Sequence, residues 1–161
     1  FSLKLKDRGL PGNIAISLSV GMVILFGGAG VFDFTNPRVI SLFLIGFSYN
    51  LAREIIKDIE DIEGDRLDGA KTLPVLIGVE KSLYLVYLLV FIFCVLWWTP
   101  YAYGLYSNTY AICLFFAVEI PLILSIFFLW KNPTSSGCAM ISRATKWITL
   151  GGMVTILCSS L

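Results

Sequence analysis

The sequence predicts an all-α fold, a polytopic transmembrane helix bundle, and three observations carry that expectation. Of its 161 residues, 57% are hydrophobic and 14% charged, with a mean hydropathy of +0.83, whereas an average soluble domain has about 25% charged residues. Long apolar runs recur along the chain, and a bilayer-crossing helix takes about 20 such residues, so there is room for about five spans. The basic residues collect in the connections between alternate runs, as in membrane proteins of fixed orientation.

The first run, residues 14–31, has 18 residues, which at about 1.5 Å per residue makes a helix of roughly 27 Å. Gly21, Gly27, Gly28 and Gly30 lie in it, and small residues of this kind let helix backbones approach closely within lipid, so they read as a packing face. Asn36-Pro37 marks a turn. A second helix begins in residues 39–52 and runs into a charged segment ending near Asp68, so only its first half is membrane-like. The third run, residues 83–98, ends in Trp97-Trp98 and is followed by Tyr101, Tyr103 and Tyr106, an aromatic belt of the sort found at membrane interfaces. Residues 110–130 form the fourth run and residues 147–161 a shorter fifth.

Taking the connections in alternation, Lys4, Lys6, Arg8, Arg53, Lys57, Arg66, Lys71, Lys81, Lys131, Arg143 and Lys146 share one face and Arg38 alone lies on the other, eleven of the twelve basic residues. The positive-inside rule then places residues 1–10, 53–81 and 131–146 in the cytoplasm of a multi-pass cell-membrane protein. Residues 1–161 read as a single transmembrane domain with a cytosolic aspartate-rich loop and helix at 53–81. The chain opens on Phe1, and it reads as a segment of a longer protein.

Several chemistries are disfavoured. A formal net charge of +1 gives no field to attract nucleic acid. Cys94, Cys113, Cys138 and Cys158 are too scattered for a zinc site or a disulfide framework. The absence of histidine removes Ser-His-Asp hydrolysis and His-ligated zinc. A metal must therefore be held by oxygen.

Seven of the eleven acidic residues lie between Glu54 and Asp68. If the second helix continues, Glu54, Asp58, Asp61, Asp65 and Asp68 are spaced i, i+4, i+7, i+11 and i+14 and share a face, with Gly64 as the expected breaking point. Like charges about 6 Å apart repel by roughly 2–3 kcal/mol at an effective dielectric near 20, and by much less in open water. One reading is a solvated acidic face balanced by Arg53, Lys57 and Arg66. The other is a cation site. Short carboxylates on a rigid helix suit Mg²⁺, which is held by one or two of them together with substrate phosphates.

The run Arg53-Glu54-Ile55-Ile56-Lys57-Asp58-Ile59-Glu60-Asp61-Ile62-Glu63-Gly64-Asp65, followed by Gly69-Ala70-Lys71-Thr72-Leu73-Pro74, resembles the second aspartate-rich motif of the UbiA superfamily of intramembrane prenyltransferases. It looks most like the archaeal branch, the digeranylgeranylglyceryl phosphate synthases. Lys4-Leu5-Lys6 with Gly12-Asn13 is similar to the basic loop that precedes the fifth helix there, so the resemblance covers the chain as the second half of a nine-helix bundle. It implies a lipid-facing cavity with two aspartate-rich motifs at its cytosolic mouth, which bind an allylic diphosphate through Mg²⁺. The first motif, N-D-x-x-D-x-x-x-D, is absent from these residues, and this stretch alone is expected to be inactive. The resemblance assigns Asp58, Asp61 and Asp65 to Mg²⁺ and to catalysis, with Asp61 and Asp65 matching D-x-x-x-D. Lys71 and Arg53 are the candidates for neutralising the diphosphate, with Lys6 a further one, and Asp68 supports the ligands from behind.

The implied partners are a prenyl diphosphate donor, a lipid acceptor and the bilayer. In the archaeal reading a geranylgeranyl group passes to geranylgeranylglyceryl phosphate, while other branches use aromatic or tetrapyrrole acceptors. Ionisation of an allylic C–O bond by metal and cationic side chains needs no protein nucleophile, which suits a chain without histidine. Tyr49 and Asn50 are candidates to line the cavity mouth. Glu119, beside Pro121 within the fourth run, should face the bundle interior, because a charged acid in the bilayer costs about 2.5–3.5 kcal/mol. It is either a proton acceptor or a protonated acid bonded to backbone freed by the proline. The non-enzyme alternative is a cation transporter with an acidic vestibule, although transporters place ion-binding carboxylates at the midplane.

Overall fold

The computed structural model describes residues 9–31 and 35–159, with side chains as far as Leu157; Lys4, Lys6 and Arg8 lie outside the described residues. Helix α1 spans Leu10–Ala29 and α2 Pro37–Glu60, followed by two short helices, α3 (Ile62–Leu67) and α4 (Leu73–Ile77). Helix α5 covers Val79–Ala102. Next come α6 (Asn108–Leu114), a π-helical turn (Phe115–Glu119) and α7 (Ile120–Lys131) as one continuous rod, and then α8 (Ser135–Ser159). No strand occurs among the described residues, in accord with the all-α expectation.

Sequence explains the main boundaries. Asn36 caps α2 by accepting the Arg38 N–H at 3.0 Å, and Pro37 occupies the first turn, where no N–H is needed. The π turn lies immediately before Pro121; a proline lacks an amide N–H and obstructs the preceding turn, and a locally widened helix accommodates that. Two boundaries differ from expectation. The acidic helix breaks at Asp61 (φ −92°, ψ 6°), and Gly64 lies inside α3. The last helix begins at Ser135, twelve residues before the expected start, so Arg143 and Lys146 sit in a helix and not in a loop. Thr134 starts it, its hydroxyl accepting the Gly137 N–H at 3.1 Å and its carbonyl the Cys138 N–H at 2.9 Å.

Four of the described helices are long and apolar enough to cross a membrane: Leu10–Ala29, Pro37–Glu60, Val79–Ala102 and the rod Asn108–Lys131. Helix α8, with two basic residues in its first half, is not among them. The spans alternate in direction, so the end of α2 and the starts of α1, α5 and α8 share one end of the bundle, here the motif end. Ser135 Oγ donates to the Glu60 carbonyl at 2.6 Å there.

Helix α2 is the central element. Near the motif end Ile55 and Ile59 are fully buried against Leu83, Val86, Leu129 and Ile141. Further along, Ile45 packs with Phe93, Trp97, Tyr110 and Ile148. Against α1 the contact depends on small residues: a Cβ on Gly21 would lie 2.7 Å from the Phe43 ring and one on Gly46 2.6 Å from Ile24 Cδ1, so these helices close on glycine faces as apolar helices in lipid do. At the far end, Arg38 Nη2 donates to the Leu105 carbonyl at 3.1 Å and its guanidinium lies 5.7 Å from the centre of the Tyr106 ring. Burial pushes the Tyr106 phenol above its ordinary pKa, and the Arg38 charge partly offsets that.

Gly9 fixes how α1 meets the motif. Its φ is +63°, and a Cβ there would lie 2.8 Å from the Lys71 carbonyl oxygen. Gly9→Ala is therefore expected to destabilise the fold by about 1–3 kcal/mol through backbone strain and this clash. A lowered midpoint of thermal unfolding in detergent is the expected result, and an unchanged one contradicts the arrangement.

Candidate functional site

The site forms where α2 ends, and its shape follows from the break at Asp61. Up to Glu60 the helix is buried on most sides, and Glu54 and Asp58 are buried with it, at 6% and 1% exposure. Beyond the break the chain turns out to solvent. Asp61, Glu63, Arg66, Asp68 and Lys71 are exposed and Asp65 is half-buried. Hydrogen bonding continues across the break, with the Asp65 N–H donating to the Asp61 carbonyl at 3.0 Å. The Ala70 N–H then donates to the Asp65 carbonyl at 2.9 Å, which folds the loop back through Gly69 (φ +70°) toward Lys71.

The carboxylates differ in surroundings. Asp58 Oδ2 accepts from Asn13 Nδ2 at 2.8 Å, and Asn13 is itself 1% exposed. A helical repeat of 100° per residue puts Asp58 about 180° around α2 from Tyr49, on the side that meets α1. The polar path continues, since Ser17 Oγ donates to the Asn13 carbonyl at 2.7 Å and Asn50 Nδ2 to Ser17 Oγ at 3.3 Å. Asp61 is exposed. Asp65 Oδ2 is buried and has no hydrogen-bond partner among the described residues, a position that favours an incoming cation, because an unmet buried acceptor is costly. Asp68 is exposed at the end of α3.

Among the described residues no three Asp, Glu or Cys side chains lie close enough together to hold a metal ion by themselves. Mg²⁺ does not require that, since one or two carboxylates with substrate phosphates are its common ligand set. Asp61 and Asp65, one turn apart and reachable from solvent, fit it; the orphaned Asp65 Oδ2 is the structural sign of that fit.

Of the candidate cations, Arg53 Nη1 lies 3.3 Å from Glu54 Oε1 and Lys57 Nζ 3.9 Å from the same oxygen. Lys71 is exposed, and its carbonyl backs onto Gly9. Lys6 lies outside the described residues. Sequence reasoning had no partner for Asp58, and the signal was a lone Asn at the start of an apolar run. It also did not find the partner of Glu119, which is 7% exposed and accepts from Trp98 Nε1 at 2.6 Å, tying the π turn to α5.

An apolar cleft of about 230 Å³ opens among α1, α2, α5, the π turn and α8. Tyr49 sits at its motif-side limit on α2, and Leu42, Ile45, Gly46, Phe93, Trp97 and Gly152 continue it away from the motif with no charged side chain in its lining. Tyr49 is held in place, its hydroxyl donating to the Thr145 carbonyl at 2.5 Å and accepting from Thr149 Oγ1 at 3.2 Å, its ring 5.1 Å from Phe93.

Residues 1–149 match the UbiA prenyltransferase family. The chain is 34% identical over 146 residues to a protein of Methanosphaera stadtmanae named digeranylgeranylglyceryl phosphate synthase, covering 91% of this chain and 53% of that one. Proteins of the same name in Methanosarcina mazei and Methanothermobacter thermautotrophicus are 39% and 32% identical, covering 84% and 98% of this chain and 47% and 54% of theirs. A solved structure, from work on the "biosynthesis of Digeranylgeranylglyceryl phosphate synthase in membranes", superposes with a TM-score of 0.88 at 31% identity over 97% of this chain and 55% of that one. The chain thus spans about half the length of the curated relatives it matches.

Proposed function

The chain belongs to the UbiA prenyltransferase family, and from that premise we propose that it supplies half of the diphosphate-binding mouth of an intramembrane geranylgeranyl transferase. The acceptor in this reading is geranylgeranylglyceryl phosphate, which matches the name its relatives carry, and the product is an ether-lipid precursor. The single observation that carries the reading is a carboxylate-lined turn at the end of α2 above an uncharged cleft that begins at Tyr49.

Asp61 and Asp65 would hold Mg²⁺ in this account, and Asp58, fixed by Asn13, adds its negative charge to theirs from one turn deeper. The chemistry that Mg²⁺ would supply at these carboxylates is stabilisation of the negative charge on a departing diphosphate, which eases ionisation of the allylic C–O bond. Lys71 offers its ammonium group from the loop that closes over the motif. Arg53 does so from α2, its charge partly balanced by Glu54 until an anion arrives. Lys6 is a third cation for the same anion, and Asp68 stands at the rim. Tyr49 and Phe93 begin the uncharged wall of the cleft that lies deeper in the bundle than the motif. The motif end carries Arg53, Lys57, Arg66, Lys71, Lys81, Lys131, Arg143 and Lys146 while Arg38 lies at the other, which supports a cytosolic site.

Full-length protein in liposomes with labelled geranylgeranyl diphosphate is expected to form a glyceryl ether product only with Mg²⁺ and geranylgeranylglyceryl phosphate present. Transfer to 4-hydroxybenzoate instead would reassign the acceptor. Transfer to no acceptor, or undiminished transfer in excess chelator, would refute the assignment.

A further inference from the structure

We propose that an exposed groove between α5 and α7 holds one membrane phospholipid whose headgroup carries both a phosphate and a primary ammonium. The groove shares no residue with the cleft below Tyr49 or with the aspartate-rich motif. It consists of two adjoining hollows of about 470 Å³ and about 390 Å³, with Tyr87 and Trp130 in the lining of both. Phe91 and Cys94 of α5 and Ile123 and Phe127 of α7 border the deeper one, and Glu80, Tyr84 and Pro133 the shallower.

Its depth is that of one leaflet. At the deep end α5 and the rod are tied together, Trp98 Nε1 donating to Glu119 Oε1 at 2.6 Å one turn beyond Cys94. Toward the motif end they separate, α5 packing more closely on α6 than on α7, and Tyr84, Phe91, Phe127 and Trp130 are left exposed along the walls. Tyr and Trp side chains gather at membrane interfaces, so Tyr84 and Trp130 set the level of the headgroups. From Tyr84 to Cys94 the helix rises about 15 Å at about 1.5 Å per residue, half of the roughly 30 Å hydrocarbon core. One hydrocarbon chain of the motif-side leaflet fits that depth.

Hydrocarbon fills such a groove whatever the headgroup, so the charges at its mouth decide which lipid stays. Glu80 stands in the first turn of α5, and Lys131 ends α7 with its ammonium 4.6 Å from the centre of the Phe127 ring. The lysine thus lies back over the groove wall. The ion pairs among the described residues are Arg53–Glu54 and Lys57–Glu54, so neither Glu80 nor Lys131 meets an opposite charge among them. A phosphate answers Lys131 and an ammonium answers Glu80, each through a charge-assisted hydrogen bond. A purely acidic headgroup sets a like charge beside Glu80, and a diacylglycerol leaves both groups unmet.

The test is photolabelling of full-length protein in nanodiscs of phosphatidylcholine, whose quaternary ammonium has no N–H to donate. A trace of diazirine-tailed lipid is added in three versions with the same chains: phosphatidylethanolamine, phosphatidylglycerol and diacylglycerol. Peptide mapping reads the share of all protein label that falls on residues 87–94 and 123–130. Phosphatidylethanolamine should exceed the other two in that share by about fivefold or more, since hydrogen bonds between charged groups are the strong ones. Lys131→Gln should reduce its share to the diacylglycerol level, and Glu80→Gln should remove its advantage over phosphatidylglycerol. Both residues are exposed, so neither change disturbs packing, and a share within one sample does not depend on the labelling yield. Equal shares for the three lipids in wild type overturn the proposal, as does an unchanged preference in both variants. Absence of label from both segments with every probe overturns it as well, and shows that protein covers the groove.

Discussion

Replacing Asp65 by Asn in the full-length protein is expected to lower prenyl transfer by at least about 100-fold, the usual cost of removing one preorganised stabiliser of developing charge. Asp61→Asn should do about the same. The two residues are one turn apart after the break in the acidic helix, one exposed and the other holding a buried oxygen without a partner. Exchanging a carboxylate oxygen for an amide NH₂ preserves the shape and removes both the charge and an acceptor, so the loss reports on cation binding and not on packing. Asp68→Asn serves as the comparison, because Asp68 is exposed at the end of α3 and its replacement should change the rate only a few-fold. Initial rates with labelled donor over a range of Mg²⁺ concentrations measure all three. Near-wild-type rates in the Asp61 and Asp65 variants would remove both from the site.

Asn13→Leu is expected to destabilise the fold by about 1.5–3 kcal/mol. It removes an amide that donates at 2.8 Å to a carboxylate that is 1% exposed, and a hydrogen bond to a charged group is worth about 1.5–3 kcal/mol. Asn13→Asp should be worse, setting two carboxylates in contact within an apolar interface. Adding Asp58→Asn to Asn13→Asp restores one donor and one acceptor and should recover much of the loss. Thermal unfolding in detergent measures the set, and an unchanged midpoint for Asn13→Leu would show that the bond contributes nothing.

Hydropathy located the four apolar spans because lipid imposes length and composition on any helix that crosses it. It located the last helix poorly. Arg143 and Lys146 interrupt the apolar pattern without interrupting the backbone, since neither residue breaks a helix, and the real stop is Asn132-Pro133. The break at Asp61 has no glycine or proline to announce it. Gly64, the residue most suited to a break, has open space around it and stays helical.

The aspartate-rich motif was legible because its spacing is local. What each carboxylate faces was not. Asp58 and Asn13 are 45 residues apart and meet only because α1 packs on α2 through glycines, a contact that one sequence does not encode as a pattern. Glu119 was expected to face the interior, and it does, but Trp98 as its donor depends on how the π turn rotates against α5. The cleft below Tyr49 is likewise a property of five packed elements and emerged only from the structure.

The central claim is that Asp61 and Asp65 bind a prenyl diphosphate through Mg²⁺, and equilibrium binding of labelled geranylgeranyl diphosphate to full-length protein in nanodiscs tests it most directly, without any acceptor. Saturable binding that requires Mg²⁺, is reversed by chelator and is lost in Asp61→Asn and Asp65→Asn is the predicted result. Binding of equal strength in chelator, or in both variants, would contradict it.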